Sequence, residues 1–106
     1  MSRHVIVSST TDSESAAREL AASAVGARLG ACAQILGPIT SVYRWEGEVR
    51  TDTEWRIEIK TAADRVTELV AAIRADHGHD VPEIIVTPIE GGSAEYLDWL
   101  ISETRG

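Results

Sequence analysis

Apolar and polar positions along the chain fall into a short series of periodic blocks. Val5 to Val7 is a continuous apolar run that ends in Ser8-Ser9-Thr10-Thr11, a pattern that predicts a short strand followed by a cap region. Thr11 and Glu14 stand at capping-box spacing. Ala17, Leu20, Ala21, Ala24 and Val25 then recur along one stripe of a helix. Their small size lets that helix lie close to whatever it covers, and Gly30 reads as its stop. Cys32 to Trp45 reads as a long strand broken at Gly37-Pro38, where a bulge or bend is expected because proline brings no ladder donor. Glu46-Gly47 is a hairpin turn signal. In the return strand Trp55, Ile57 and Ile59 alternate with Arg56, Glu58 and Lys60, giving one apolar and one charged face.

The second half repeats the scheme. Thr61 and Asp64 again have capping-box spacing, and Val66, Leu69, Val70 and Ile73 form a second helical stripe ending near His77-Gly78. Gly78 suits the left-handed position that closes a helix. Pro82 biases Val81 to extended geometry, and Ile84-Ile85-Val86 is a strand apolar on both faces. Gly91-Gly92 breaks it, and Ser93 caps a final helix carrying Tyr96, Leu97, Trp99, Leu100 and Ile101.

The predicted order is therefore βαββαβ plus a C-terminal helix, in one domain spanning residues 1–106. Two right-handed crossovers place both long helices on one face of an antiparallel sheet, an α+β ferredoxin-like sandwich. The last strand of that unit is an edge, yet Ile84-Ile85-Val86 is patterned for burial on both sides. An open apolar edge is a template for aggregation, so other copies of the chain are expected to cover it.

Composition narrows the class of function. Apolar residues make up 43% of the 106 positions, as in ordinary soluble domains, and no apolar run reaches the ~18 residues of a membrane helix. The N-terminal Met-Ser-Arg-His-Val-Ile-Val lacks the pattern of a signal peptide. The net charge of −7 opposes binding to nucleic acid or anionic membrane. A single cysteine, Cys32, fits a reducing compartment. The expected location is the cytoplasm, with no nucleic-acid or membrane partner.

Several stretches together resemble the CutA divalent-cation tolerance family. They are Ala27-Arg28-Leu29-Gly30-Ala31-Cys32-Ala33-Gln34-Ile35, Thr40-Ser41-Val42-Tyr43-Arg44-Trp45-Glu46-Gly47, Ile59-Lys60-Thr61, Val81-Pro82-Glu83-Ile84-Ile85, and Pro88-Ile89-Glu90-Gly91-Gly92-Ser93 with Tyr96-Leu97-Trp99-Leu100. The resemblance implies a homotrimer of ferredoxin-like subunits whose strands extend each other's sheets, in a topology shared with trimeric PII-type signalling proteins. It also implies tolerance to copper and other divalent cations, and no catalysis. Two positions depart from the family pattern. Some members carry a cysteine where this chain has Ser9, and many have His-Pro-Tyr where this chain has His77-Gly78-His79.

That turn is the sharpest candidate for chemistry. Imidazoles two residues apart converge on one metal in some sites, with Asp76, Asp80 or Glu83 nearby as oxygen ligands. His77 and His79 are thus the candidate metal ligands, for copper(II) or another divalent cation, with no obligatory cofactor. The plainer reading, that the stretch ends a helix and turns into a strand, carries more weight. Cys32, among Leu29, Ala31, Ala33 and Ile35, reads as a core or interface residue rather than a nucleophile. The aromatics read first as packing. A functional alternative is a cleft between subunits lined by Tyr43, Trp45, Tyr96 and Trp99, with Glu58, Lys60 and Glu90 as polar contacts. Ser8-Ser9-Thr10-Thr11 lacks the glycines and lysine of a phosphate loop.

Two functions compete on these residues: a metal-responsive homotrimer without enzymatic activity, and a PII-type sensor that binds an anionic metabolite between subunits. An RNA-binding module of the same strand order would need aromatics on the first strand, and His4-Val5-Ile6-Val7 has none. Acylphosphatase-like chemistry would need an arginine-bearing loop after that strand, and Ser9-Thr10-Thr11-Asp12 offers none. No catalytic residue is predicted.

Overall fold

The computed structural model describes residues 2–106. Four strands, β1 (His4–Thr11), β2 (Cys32–Trp45), β3 (Glu48–Ala62) and β4 (Ile84–Pro88), form one antiparallel sheet in the order β2-β3-β1-β4. Helix α1 (Glu14–Gly26) connects β1 to β2. A 3₁₀ turn at Ala63–Arg65 leads into α2 (Val66–Asp76), which connects β3 to β4, and α3 (Ala94–Ser102) closes the chain. No helix among the described residues is long and apolar enough to cross a membrane.

Strand pairing assigns the two faces of the sheet. Val7 pairs with Ile59 and Val86, and Ala33 also pairs with Ile59, so these side chains share a face. On that face Val5, Val7, Ile57 and Ile59 pack against Ala17, Leu20, Ala21 and Ala24 of α1 and Leu69 and Ile73 of α2. Both helical stripes point where the periodicity put them, except that Val25 is exposed. Gly30 does not stop α1. Ala27 and Arg28 do: Ala27 N–H donates to Ser23, and Arg28 takes the left-handed conformation at φ 60°. Gly30 is small for another reason, since a Cβ there would collide with the γ-methyl of Ile59.

Neither capping box read from the sequence forms. The α1 cap is Ser13, whose hydroxyl accepts from Ala16 N–H at 3.1 Å, while Thr11 Oγ1 donates to the Ser13 carbonyl at 2.8 Å. Ser8 to Thr11 belong to β1 and are all buried. Pairing of all four with β3, and of Ser8 and Ser9 also with β4, holds them extended despite their polarity. Thr61 is likewise a buried strand residue, and its hydroxyl donates to the Leu29 carbonyl at 2.7 Å. Ser93 stands at the N-cap of α3 without a side-chain cap bond.

The β2–β3 hairpin outgrows the sheet. Pairing with β1 covers β3 only from Trp55 to Ala62, whereas β2 pairs with β3 out to Trp45↔Glu48. The register slips between Leu36 and Ile39, at the expected Gly37-Pro38 bulge, and the tip turns through Glu46 and Gly47, both at positive φ. The result is a two-stranded arm on a body measuring 44 × 25 × 22 Å overall. Within the single chain, β4 is not buried on both sides. Ile84 packs on the core, but Ile85 and Val86 are 49% and 42% exposed, and among the described residues nothing pairs beyond this edge.

Helix α3 packs on β1 and β3, with Leu100 and Thr104 fully buried. Thr104 Oγ1 donates to the Leu100 carbonyl at 2.9 Å, and Arg105 forms a bidentate pair with Asp64 at 2.6 and 2.8 Å.

Candidate functional site

The chain leaves α2 at Asp76. His77 is already extended, at φ −82° and ψ 141°, and among the described glycines only Gly47 has positive φ. Gly78 therefore does not close the helix in the left-handed conformation expected of it. The His77 ring has work of its own. Its Nε2 lies 2.7 Å from the Thr10 carbonyl oxygen, and its Nδ1 accepts the His79 backbone N–H at 3.1 Å. A carbonyl only accepts, so Nε2 carries the proton, and an Nδ1 that accepts is bare. The ring is a neutral imidazole with both nitrogens engaged, tying the α2–β4 connection to the end of β1.

The His79 ring stands 4.8 Å from that of His77, centroid to centroid, and is exposed. It makes no side-chain hydrogen bond among the described residues. Of the neighbouring carboxylates, Glu83 is paired with Arg56 at 3.4 Å, while Asp76 and Asp80 have no ion-pair partner among the described residues. No group of three or more His, Cys, Asp or Glu side chains stands close enough to hold a metal among the described residues. The turn thus offers one free imidazole and loose carboxylates. His77 adds a nitrogen only by giving up a backbone hydrogen bond. Ser9, at the position where some family members have cysteine, lies on the helix-covered face with its hydroxyl buried and unpartnered.

The aromatic candidates divide into two groups. Lys60, Tyr96 and Trp99 come together. Lys60 Nζ sits 5.9 Å above the Tyr96 ring, and Tyr96 and Trp99 are 5.5 Å apart. Glu58 lies two residues along the same strand face and engages Arg56 at 3.6 Å. Two further members escaped sequence reasoning: Gln34, whose side-chain amide Oε1 accepts from Lys60 at 2.7 Å, and Cys32, which pairs with Lys60 across the strands. The alternation of Cys32 and Gln34 on the strand facing Lys60 was the available signal. Cys32 is half-buried, at a junction of β2 with α3 rather than in the core. Burial, reinforced by Cys32, pushes the Tyr96 hydroxyl above the ordinary tyrosine range.

Tyr43 and Trp45 belong to the arm. Tyr43 pairs with Arg50, ten positions along β3 from Lys60, which at ~3.3 Å per residue is about 33 Å away. The Tyr43 hydroxyl donates to the Asp52 carboxylate, which raises its pKa. Trp45 is 41% exposed. A groove of about 640 Å³ separates Ser41, Tyr43 and Trp45 from His79, Asp80 and Glu83. Glu90 lies beyond β4, exposed and without a hydrogen-bond or ion-pair partner among the described residues. A single chain does not assemble these residues into one cleft.

Comparison with known proteins places this geometry. A family model described as CutA1 divalent ion tolerance protein matches residues 5–103. Protein CutA 1, chloroplastic, of Oryza sativa subsp. japonica is 42% identical over 101 residues, covering 95% of this chain and 57% of its own length. The divalent-cation tolerance protein CutA of Thermus thermophilus is 42% identical over 99 residues, covering 93% of this chain and 96% of that protein. The chain thus spans little more than half of the rice relative but nearly all of the bacterial one. A solved structure of a divalent cation tolerance protein from Thermus thermophilus matches with a TM-score of 0.94 at 41% identity, over 96% of this chain and 99% of that one. A structure from Archaeoglobus fulgidus, described as a periplasmic divalent cation tolerance protein CutA, matches at 0.93 and 31% identity, over 96% and 99%. The mixed α+β fold, with its four-stranded antiparallel sheet and three helices, is common to them, and the chain belongs to the CutA1 divalent ion tolerance protein family.

Proposed function

We propose that this chain is a non-enzymatic divalent-cation tolerance protein that works as a homotrimer of ferredoxin-like subunits in a PII-like arrangement. The observation that carries the assembly is the arm together with the open β4 edge. A two-stranded ribbon alone in water is marginal, yet this one leaves Val42 67% and Val49 63% exposed, and β4 leaves Ile85 uncovered. An exposed apolar edge and an unsupported ribbon are both stabilised by a neighbouring copy. Head-to-tail contacts between unlike surfaces close into a ring when the rotation permits. The cleft assigned to Tyr43, Trp45, Lys60, Tyr96 and Trp99, with Glu58 and Glu90, then needs two chains, one giving its arm and the other its α3.

The cation reading is support for a weak site for copper(II) or another divalent cation at the turn, with His79 as the open ligand and His77 as the conditional one. Copper(II) outranks zinc there, because the ligands are nitrogen and oxygen and no thiolate is present. The cytoplasmic placement rests on the lone cysteine. The relatives described as chloroplastic and periplasmic mean that family membership by itself does not set the compartment.

Two measurements test this. Light scattering at micromolar protein reads the mass, and a monomer or dimer ends the trimer. Calorimetric titration with copper(II) and, separately, with a nucleotide reads the ligand. Heat from the nucleotide and none from copper replaces the cation reading with the metabolite-sensor one.

A further inference from the structure

We propose that the groove between the arm and the turn after α2 is a binding site for a small organic cation of the guanidinium class, stacked on Tyr43 and Trp45 and paired with Glu54 and Asp80. One chain builds the whole groove, so the site requires neither the assembly nor the copper(II) reading.

Strand register sets the arm wall. Tyr43 pairs with Arg50, Ser41 with Asp52 and Ile39 with Glu54, so Arg50, Asp52 and Glu54 share the face of the arm that carries Tyr43. Trp45 lies two residues beyond Tyr43 on β2 and shares that face. Tyr43 and Trp45 are 39% and 41% exposed, so each ring leaves surface open to a guest. The Tyr43 ring is also held at its far end, where its hydroxyl donates to the Asp52 carboxylate. Asp80, Val81 and Glu83 form the opposite wall, and Thr10 of β1 also lines the space. At about 640 Å³ the groove falls within the roughly 300–1,000 Å³ of small-molecule sites.

The pairing of neighbouring charges decides the sign of the guest. Arg50 lines the groove but pairs with Glu48 at 3.6 Å, and Glu83 pairs with Arg56 at 3.4 Å. Glu54, which is half-buried, and Asp80 have no ion-pair or hydrogen-bond partner among the described residues. Two uncompensated carboxylates in a concave space with aromatic walls favour a cation. Among the described residues no three His, Cys, Asp or Glu side chains converge as a metal ion needs. A guanidinium group does not need that convergence. Its charge is spread over a plane that stacks on an aromatic ring, while its N–H fork donates to a carboxylate.

The test is titration of the full chain with n-butylguanidinium, read by nitrogen–proton correlation spectra, with n-butylurea as the uncharged probe of the same shape. Butylguanidinium should shift the Trp45 indole N–H and the backbone amides of residues 79–83 saturably, and butylurea should not. Glu54→Gln keeps the shape and removes the charge, and Trp45→Leu keeps an apolar wall and removes the ring face. Each should weaken binding about three- to tenfold, with the 79–83 amides carrying the readout in Trp45→Leu and far-UV circular dichroism checking that both variants keep the fold. Equal shifts from butylurea overturn the cationic class of the guest. Unchanged affinity in either variant overturns the site as drawn, and so does an absence of shifts in the wild type. Shifts that appear in Ile85→Lys and not in the wild type assign the groove to a neighbouring copy and overturn the proposal.

Discussion

The indole of Trp55 fills the space that a side chain at position 37 would need: a Cβ on Gly37 would stand 2.8 Å from Trp55 Cγ and 3.1 Å from its Nε1. The contact sits at the register slip where the sheet gives way to the arm. Gly37→Ala forces the indole or the bulge to move and should cost about 1–3 kcal/mol, as overpacking does. Denaturant unfolding reads the cost. In a Trp55→Val background the same substitution should cost less, and equal costs in both backgrounds would show that the two residues do not press on each other.

Ile85 lies on the open edge strand with half its surface in solvent. Ile85→Lys should leave the far-UV circular dichroism of the subunit intact and lower the mass found by light scattering. An unchanged mass would mean that β4 is not part of the seam between copies.

Tyr43 donates to Asp52 and ionises above the ordinary tyrosine value of ~10 for that reason first. Its neutral form is favoured in the fold, so the contribution to stability is complete below pH ~10 and declines as pH rises through the folded value. Ultraviolet titration should show one early-titrating tyrosine more in Asp52→Ala than in the wild type. Tyr96 stays late in both, since burial is its main cause.

The Arg105 guanidinium holds Asp64 below the usual carboxylate range. A lowered carboxylate stabilises above its unfolded value of ~3.9 and loses that contribution as pH falls through the folded one. Both side chains are exposed, so the effect is local. Asp64→Asn should speed amide exchange at Thr104 and Arg105 at neutral pH without moving the global melting temperature, and in the wild type the same amides should loosen only below pH ~4.

Cys32 is half-buried beside Lys60 and Tyr96 and shares no cluster with His77 or His79. Cys32→Ala should keep any copper affinity within a few fold and change stability by about 1 kcal/mol. A native thiol that reacts as fast as the unfolded one would show the site to be open.

What the sequence determined by itself is whatever depends on neighbours along the chain. The alternation Trp55–Lys60, the helical stripes from Ala17 and Val66, the Glu46-Gly47 turn and the Gly37-Pro38 break each encode a local backbone geometry, and each element formed where its pattern lies. The element order followed, as did the helix-covered face of the sheet. The tertiary structure decided what depends on residues far apart in sequence. Ser8 to Thr11 and Thr61 carry cap chemistry, but the pairing of β1 with β3 and β4 outweighs it and keeps them in strands. His77 reads as part of a helix end or as a metal ligand until the carbonyl of Thr10, 67 residues earlier, engages its ring. Tyr43 and Lys60 read as members of one cleft between subunits, and within a single chain the length of the hairpin keeps them about 33 Å apart. Hydrogen bonds and pairings of this kind are set by which surfaces meet, and no local pattern specifies that.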